Sequence, residues 1–201
     1  MALKLAAGRT LYFARHGQTQ ANVEKRFSGY KDTPLTPLGL EQAAQVGRIL
    51  KRELGTADGY AFVASPLARA MTTMKIARTA MGLSPDDFST DSRLKEINLG
   101  RWDQLTDEEA RAQSPTLFAE RGNDKWHVRV PGGENYADVA ARVGDWLEDL
   151  KQDTFAISHG ATTRILRGLL AGLDWRAMSA LDEPQGVVFR VRGTEVVRLD
   201  P

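Results

Sequence analysis

The chain contains no cysteine. That absence excludes disulfides, thiolate metal sites and a cysteine nucleophile, and it fits a reducing cytoplasm. An excess of charge is also missing: 27 Lys and Arg stand against 26 Asp and Glu, a formal net charge of +1. A chain so balanced lacks the broad basic footprint of a nucleic-acid binder, so any anion site must be local. No apolar run approaches the ~20 residues needed to cross a bilayer. The amino end, MALKLAAGRT, is too short for a signal-peptide core. The expectation is a soluble, cytoplasmic protein with neither a nucleic-acid nor a membrane partner. Neither a GxxxxGK motif followed by Ser or Thr nor GxSxG occurs, which leaves P-loop nucleotide hydrolysis and serine esterase chemistry without support.

Histidine is scarce too, with three in 201 residues, yet two of them follow the same kind of segment. Thr10 to Ala14 is rich in β-branched and aromatic residues and reads as a buried strand that ends at Arg15-His16-Gly17. Far downstream, TFAISHG repeats the arrangement: an apolar run from Thr154, then His159 and Gly160. In an open α/β sheet, the loops leaving the carboxyl ends of strands form the ligand crevice. Gly17 is expected to let the backbone turn and a ligand approach the imidazole.

The rest of the chain supplies the layers. A long loop at 18–35 carries Asn22, Ser28, Gly29, Asp32 and Pro34, and long ordered loops beside a strand tip are often functional. Thr36-Pro37 provides an N-cap and first helical residue, and apolar residues then recur at helical spacing from Leu40 to Leu54 until Gly55. Tyr60 to Ala64 reads as a second strand. Ser65-Pro66 reads as the start of a helix with Arg69 in its first turn and Met71 and Met74 on its core face. Ser89 to Leu94 is the third strand candidate, delivering Glu96 to a loop. Residues 98–130 are polar and lack strand patterning, so a helical insertion or lid is expected, with Thr106 and Glu109 as a capping box and Ser114-Pro115 opening another helix.

Beyond the turn at Pro131-Gly132-Gly133, apolar residues from Tyr136 to Leu150 mark a helix face. A second helix follows the His159 strand to Leu170, and VVFRVRGTEVVRL reads as a hairpin around Gly193-Thr194. The pattern predicts one domain over residues 1–201. Its architecture is a three-layer α/β/α sandwich with a mostly parallel sheet and an antiparallel C-terminal hairpin. The edge of that hairpin suits dimer formation, so monomer and homodimer both stay open.

If the strands are parallel neighbours, Arg15, His16, Arg69, Glu96 and His159 converge on one sheet edge. Two guanidinium forks match phosphate oxygens, and the backbone N–H groups of Gly160 and Ala161 open a helix whose dipole favours an anion. Flanking arginines disfavour protonation of His16, which keeps a nucleophilic imidazole neutral. His159 would donate to the phosphoryl oxygens. A carboxylic acid beside a phosphate dianion has its pKa raised, so Glu96 is the candidate proton donor to the leaving alkoxide. Two histidines and a glutamate could hold zinc. Two arginines at the same edge repel a divalent cation, so neither metal nor cofactor is expected.

Leu11 to Gly17 with Gln18-Thr19 and Asn22, Pro34-Leu35-Thr36, Ser65-Pro66-Leu67 with Arg69-Ala70, Leu94-Lys95-Glu96, Pro131-Gly132-Gly133-Glu134 and Ser158-His159-Gly160 together resemble the histidine phosphatase superfamily, with its phosphoglycerate mutase-like fold. The resemblance spans nearly the whole chain. It implies His16 as the phosphorylated nucleophile, Arg15, Arg69 and His159 as the rest of the phosphate pocket, and Glu96 as the proton donor. It adds Asn22 as a phosphate contact and Ala161 as the backbone donor.

Cofactor-dependent phosphoglycerate mutases of this family follow the glutamate with Arg-His-Tyr-Gly and carry a tandem arginine pair in the insertion. Here Glu96 is followed by Ile97-Asn98-Leu99-Gly100-Arg101-Trp102, and Arg101, Arg111, Arg121 and Arg129 are isolated. That segment is similar to the one in broad phosphomonoesterases and α-ribazole phosphatases. The expected activity is therefore hydrolysis of a small phosphorylated metabolite. Mutase activity is the alternative, and a non-catalytic phosphate-ligand protein the third reading. His127, beside Trp126 and without a recognised partner, reads as structural or lid-lining.

Overall fold

The computed structural model describes residues 5–6 and 8–201. The reading of the amino end as leaderless therefore falls partly on Met1 to Lys4 and Ala7, outside the described residues.

Six strands form one sheet: β1 (Thr10–Arg15), β2 (Ala61–Ala64), β3 (Ser89–Thr90), β4 (Thr154–Ser158), β5 (Val188–Arg192) and β6 (Glu195–Leu199). Their order is β3-β2-β4-β1-β5-β6. The first four in that order run parallel, and β5 and β6 complete the sheet antiparallel. The three-layer sandwich with an antiparallel C-terminal hairpin is therefore the architecture of this protein.

Alternation along the strands assigns each side chain to a face. Leu11 and Phe13 of β1 and Ala156 of β4 pack against Val139, Val143 and Trp146 of α6 (Tyr136–Glu148) and against Ile165 and Leu166 of α7 (Gly160–Leu170). Tyr12, Ala14, Phe155 and Ile157 point the other way. They meet Val46, Ile49 and Leu50 of α2 (Pro37–Leu54) and Met74 and Ala77 of α3 (Ala68–Met81). β1 and β4 are covered on both faces, which is why they read as continuous apolar runs. Each of the larger of these buried side chains, such as Leu11, Phe13, Phe155 and Ile157, contributes about 1.5–3 kcal/mol.

The α2–α3 contact depends on a missing side chain, because a Cβ at Gly47 would collide with the Ala77 carbonyl oxygen. Gly47→Ala is expected to lower the melting temperature, corresponding to about 1–3 kcal/mol of stability from overpacking. An unchanged thermal melt would show that the two helices can separate at little cost.

Several local expectations are met in detail. Thr36 caps α2 by accepting from the Gly39 N–H, with Pro37 first in the helix and Gly55 at its end with φ +63°. Thr106 and Glu109 form a capping box on α4 (Asp107–Gln113), and Pro115 opens α5 (Pro115–Asn123). Trp102, Ala110 and Val130 make a small separate core under these two helices, with Phe27 and Phe118 against it.

Others are corrected. The third strand stops at Thr90, and Asp91 caps a 3-10 turn over Ser92–Leu94. The helix placed at Ser65-Pro66 begins at Ala68, because its first N–H groups are capped by a distant residue: Asp32 Oδ2 accepts from Ala68 N–H at 2.8 Å and Oδ1 from Arg69 N–H at 3.3 Å. Met74 is fully buried, but Met71 is only partly so. The 18–35 loop contains α1 (Gln20–Val23), which Thr19 and Asn22 close as a capping box. A further short helix, α8 (Trp175–Ser179), starts at the Asp174 cap. Among the described residues, no helix is long and apolar enough to cross a membrane.

Candidate active site

Three strand tips lie side by side. Arg15 is in register with Ser158 across β1 and β4, His16 N–H donates to the Ser158 carbonyl at 2.9 Å, and Ser65 N–H donates to that of Ile157 at 2.9 Å. Each strand is followed by one polar residue, and the three meet. The rings of His16 and His159 lie 5.1 Å apart between centroids at 60°, and His159 Nε2 is 2.7 Å from Ser65 Oγ.

Both imidazoles are buried, at 2% and 0% exposure for His16 and His159. Burial, then the charges of Arg15 and Arg69, hold His16 well below the usual imidazole pKa. Burial is likewise the main cause for His159, with Arg69, His16 and Arg15 adding to it. The arginines act in the expected direction, but desolvation leads. Both rings are neutral near pH 7.

The hydrogen bonds assign the protons. His16 Nδ1 is 2.7 Å from the Gly17 carbonyl. A carbonyl can only accept, so the proton is on Nδ1 and the lone pair on Nε2. Ser65 Oγ accepts from Leu67 N–H at 3.3 Å and is free to donate to His159 Nε2. If the hydroxyl donates there, the proton of His159 is on Nδ1; Nδ1 is buried with no hydrogen-bond partner among the described residues.

Glu96 is 8% exposed at the amino end of α7. Its carboxyl oxygens accept from Ile97 N–H at 2.9 Å and from the N–H groups of Ala161 and Thr162 at 3.3 Å each. The Ala161 N–H, expected to face a phosphate, thus faces Glu96. Burial, then the nearby charge of Glu183, raises the pKa of Glu96.

The two arginines differ from simple forks. Arg69 is buried, and its terminal nitrogens are taken by the carbonyls of Ser28, Gly29 and Lys31 and by Asp32 Oδ1. Arg15 NH1 donates to the Glu183 carbonyl at 2.7 Å. In both, Nε is buried with no hydrogen-bond partner among the described residues.

Arg15, His16, Asn22, Glu96 and Ala161 line one cavity of about 470 Å³; His159 and Arg69 are not among the residues that line it. Asn22 is fixed by Gln185, whose amide donates to Asn22 Oδ1 and to the His16 carbonyl at 3.1 Å each. The far wall comes from the insertion: Leu99, Trp102, Asp107, Phe118, Arg121 and Lys125. His127 is elsewhere, exposed, with Nδ1 2.8 Å from Asp124 Oδ2 and its ring against Trp175. It is not part of the cavity, which corrects the lid-lining reading. Gly17 is also reassigned: a Cβ there would strike the Gly39 carbonyl, so the glycine serves the seat of α2 against the strand tip. Among the described residues, no three His, Asp or Glu side chains gather as a metal site.

Ser65, Gln185, Glu183, Arg164, Tyr136 and Lys125 were invisible as site residues in the sequence. Only Ser65 carried a signal, since it follows a strand as the two histidines do.

A buried pair of neutral imidazoles at parallel strand tips, with arginines and a carboxylic acid beside them, defines an α/β protein with a site suited to phosphoryl groups. The sequence model of the histidine phosphatase superfamily (branch 1) matches residues 11–195, and the chain belongs to that superfamily. A 2,3-bisphosphoglycerate-dependent phosphoglycerate mutase from Methylobacterium radiotolerans is 37% identical over 94% of this chain and 92% of its own. The structure of a mycobacterial glucosyl-3-phosphoglycerate phosphatase complexed with VO3 superposes with a TM-score of 0.75 at 29% identity, covering 96% of this chain and 98% of that one. An α-ribazole phosphatase from Shigella flexneri reaches 0.81 at 24% identity over 96% of each chain, which attests the shared fold.

Proposed function

We propose that this protein is a metal-independent phosphomonoesterase that hydrolyses small phosphorylated metabolites through a phosphohistidine on His16. The carrying observation is the unprotonated Nε2 of a buried, neutral His16 at the floor of a cavity that Glu96 also lines.

In the first step Nε2 bonds to phosphorus, the ester P–O bond breaks, and Glu96 gives its proton to the leaving oxygen. Arg15, Arg69 through its Nε–H, His159 through Nδ1–H, and Asn22 donate to the phosphoryl oxygens as charge shifts onto them. In the second step water attacks phosphorus, the Glu96 carboxylate takes the water proton, and the N–P bond breaks to release orthophosphate. Residues 98–130 act as a partial cover, supported by Trp102 and Phe118 on the cavity wall.

A mutase is the second reading, favoured by one observation. Arg121, 6% exposed, and Lys125 line the cavity, and neither side chain has a carboxylate within ion-pair distance among the described residues. Such cations favour an ester whose carbon skeleton is itself anionic. Arg121→Met is therefore expected to lower the preference for 3-phosphoglycerate over glycerol 3-phosphate about tenfold, the scale of one charge-assisted hydrogen bond. An unchanged ratio of kcat/KM would remove Arg121 from substrate recognition.

The deciding assay is orthophosphate release from a panel of small phosphomonoesters in EDTA, with phosphoglycerate interconversion followed in the same samples. Release supports the phosphatase reading; interconversion without release supports the mutase.

A further inference from the structure

The two-step chemistry leaves a half-buried acid of the cavity unused. Glu183 lies in the loop between α8 and β5 and reaches the cavity that His16 and Glu96 line. Its Oε1 is 3.1 Å from Arg164 NH2 and its Oε2 is 3.8 Å from Arg15 NH1. A Cβ built on Gly160 would meet Oε2 at 2.5 Å, so the carboxylate rests directly on the first residue of α7. Two guanidinium groups and a helix amino end are what an incoming phosphate would seek. Glu183 also holds Arg15 through its main-chain carbonyl, and Arg164 is steadied by Tyr136 Oη at 2.9 Å.

We propose that Glu183 is a tethered competitor anion: its carboxylate holds Arg15 and the α7 amino end when phosphate is absent, opposes phosphate binding, and returns as orthophosphate leaves, which speeds product release. This rests on the phosphate reading of the site. The long Oε2–Arg15 separation fits a carboxylate that shares its cation with a second anion. So does its proximity to Glu96, whose acid form its charge favours. Gly160 is then required because any side chain there would keep the carboxylate out.

A merely structural role predicts the opposite sign. If Glu183 only oriented Arg15, removing its charge would weaken phosphate binding. If it competes, removing the charge tightens binding, by about tenfold or more for a unit charge a few ångströms from a phosphate dianion at an effective dielectric near 20.

The test is calorimetric titration of wild type, Glu183→Gln and Glu183→Ala with inorganic phosphate, together with orthophosphate inhibition of p-nitrophenyl phosphate turnover. The Kd and the inhibition constant are expected to fall about tenfold in both charge-removing variants. Glu183→Asp, which keeps the charge, is expected to restore the weaker wild-type binding. Circular dichroism identifies any variant that fails to fold, and Glu183→Ala serves where Glu183→Gln does. Phosphate binding that is unchanged, weaker or undetectable in the folded charge-removing variants overturns the proposal. Because calorimetry needs no turnover, a wild type that binds phosphate but hydrolyses nothing would sink the phosphatase reading while leaving the competitor role measurable.

Discussion

His16→Ala is expected to lower kcat/KM on every phosphomonoester by at least about 10⁴-fold, because the step that forms the N–P bond has no substitute. Among the described residues, no other side chain lining the cavity offers a comparable nitrogen nucleophile: Arg15, Arg26, Arg121, Lys125 and Arg164 are cationic, Asn22 presents an amide and Trp102 an indole N–H. The fold should survive, since β1 is held by β4 and β5 along its length and His16 lies beyond its end. Circular dichroism and a thermal melt check that point. Residual activity within tenfold of wild type in a folded variant would mean that water attacks the ester directly.

Glu96→Gln is expected to cost roughly 10²–10⁴-fold on alkyl phosphates and much less on p-nitrophenyl phosphate, whose leaving phenolate needs little protonation. The pH profile carries the same claim. Glu96 is raised above the usual carboxylate range, first by burial and then by Glu183, while burial, Arg15 and Arg69 depress His16. Activity should therefore fall as pH rises through the raised Glu96 value, and fall again as pH drops through the lowered His16 value. Glu96→Gln should abolish the alkaline limb and leave the acid limb. Equal losses on both ester types, or an unaltered alkaline limb, would remove Glu96 from the acid role.

The same burial links folding to pH. His16 and His159 have native pKa values below that of the unfolded chain, about 6.5. Below that pH the unfolded state takes up protons that the native state refuses, so stability falls as pH drops through it.

What could be read from the sequence was what local rules decide. TLYFA and TFAIS are apolar on both faces, so they had to be central strands, and each delivers a histidine at its carboxyl end. The Thr36-Pro37 start of α2, the Thr106/Glu109 box and the hairpin at Gly193 are likewise written in adjacent residues. What escaped depends on closure in space. Asp32 caps a helix 36 residues away, Gln185 reaches Asn22 across 163, and Arg15 meets Glu183 across 168. Gly17 misled for the same reason, since the backbone it must clear belongs to Gly39 on another element. Arg121 read only as an isolated arginine, because nothing in its neighbours in sequence says that α5 turns it into the cavity.

The central claim, covalent transfer to His16, is tested most directly by trapping the intermediate. Wild type mixed with a ³²P-labelled phosphomonoester and quenched in alkali within milliseconds should carry label that survives base and is lost in acid, as a phosphoramidate is. Peptide mapping should place that label on His16, and His16→Ala should carry none. Turnover without any alkali-stable label on rapid quenching, or label on another residue, would contradict the phosphohistidine route.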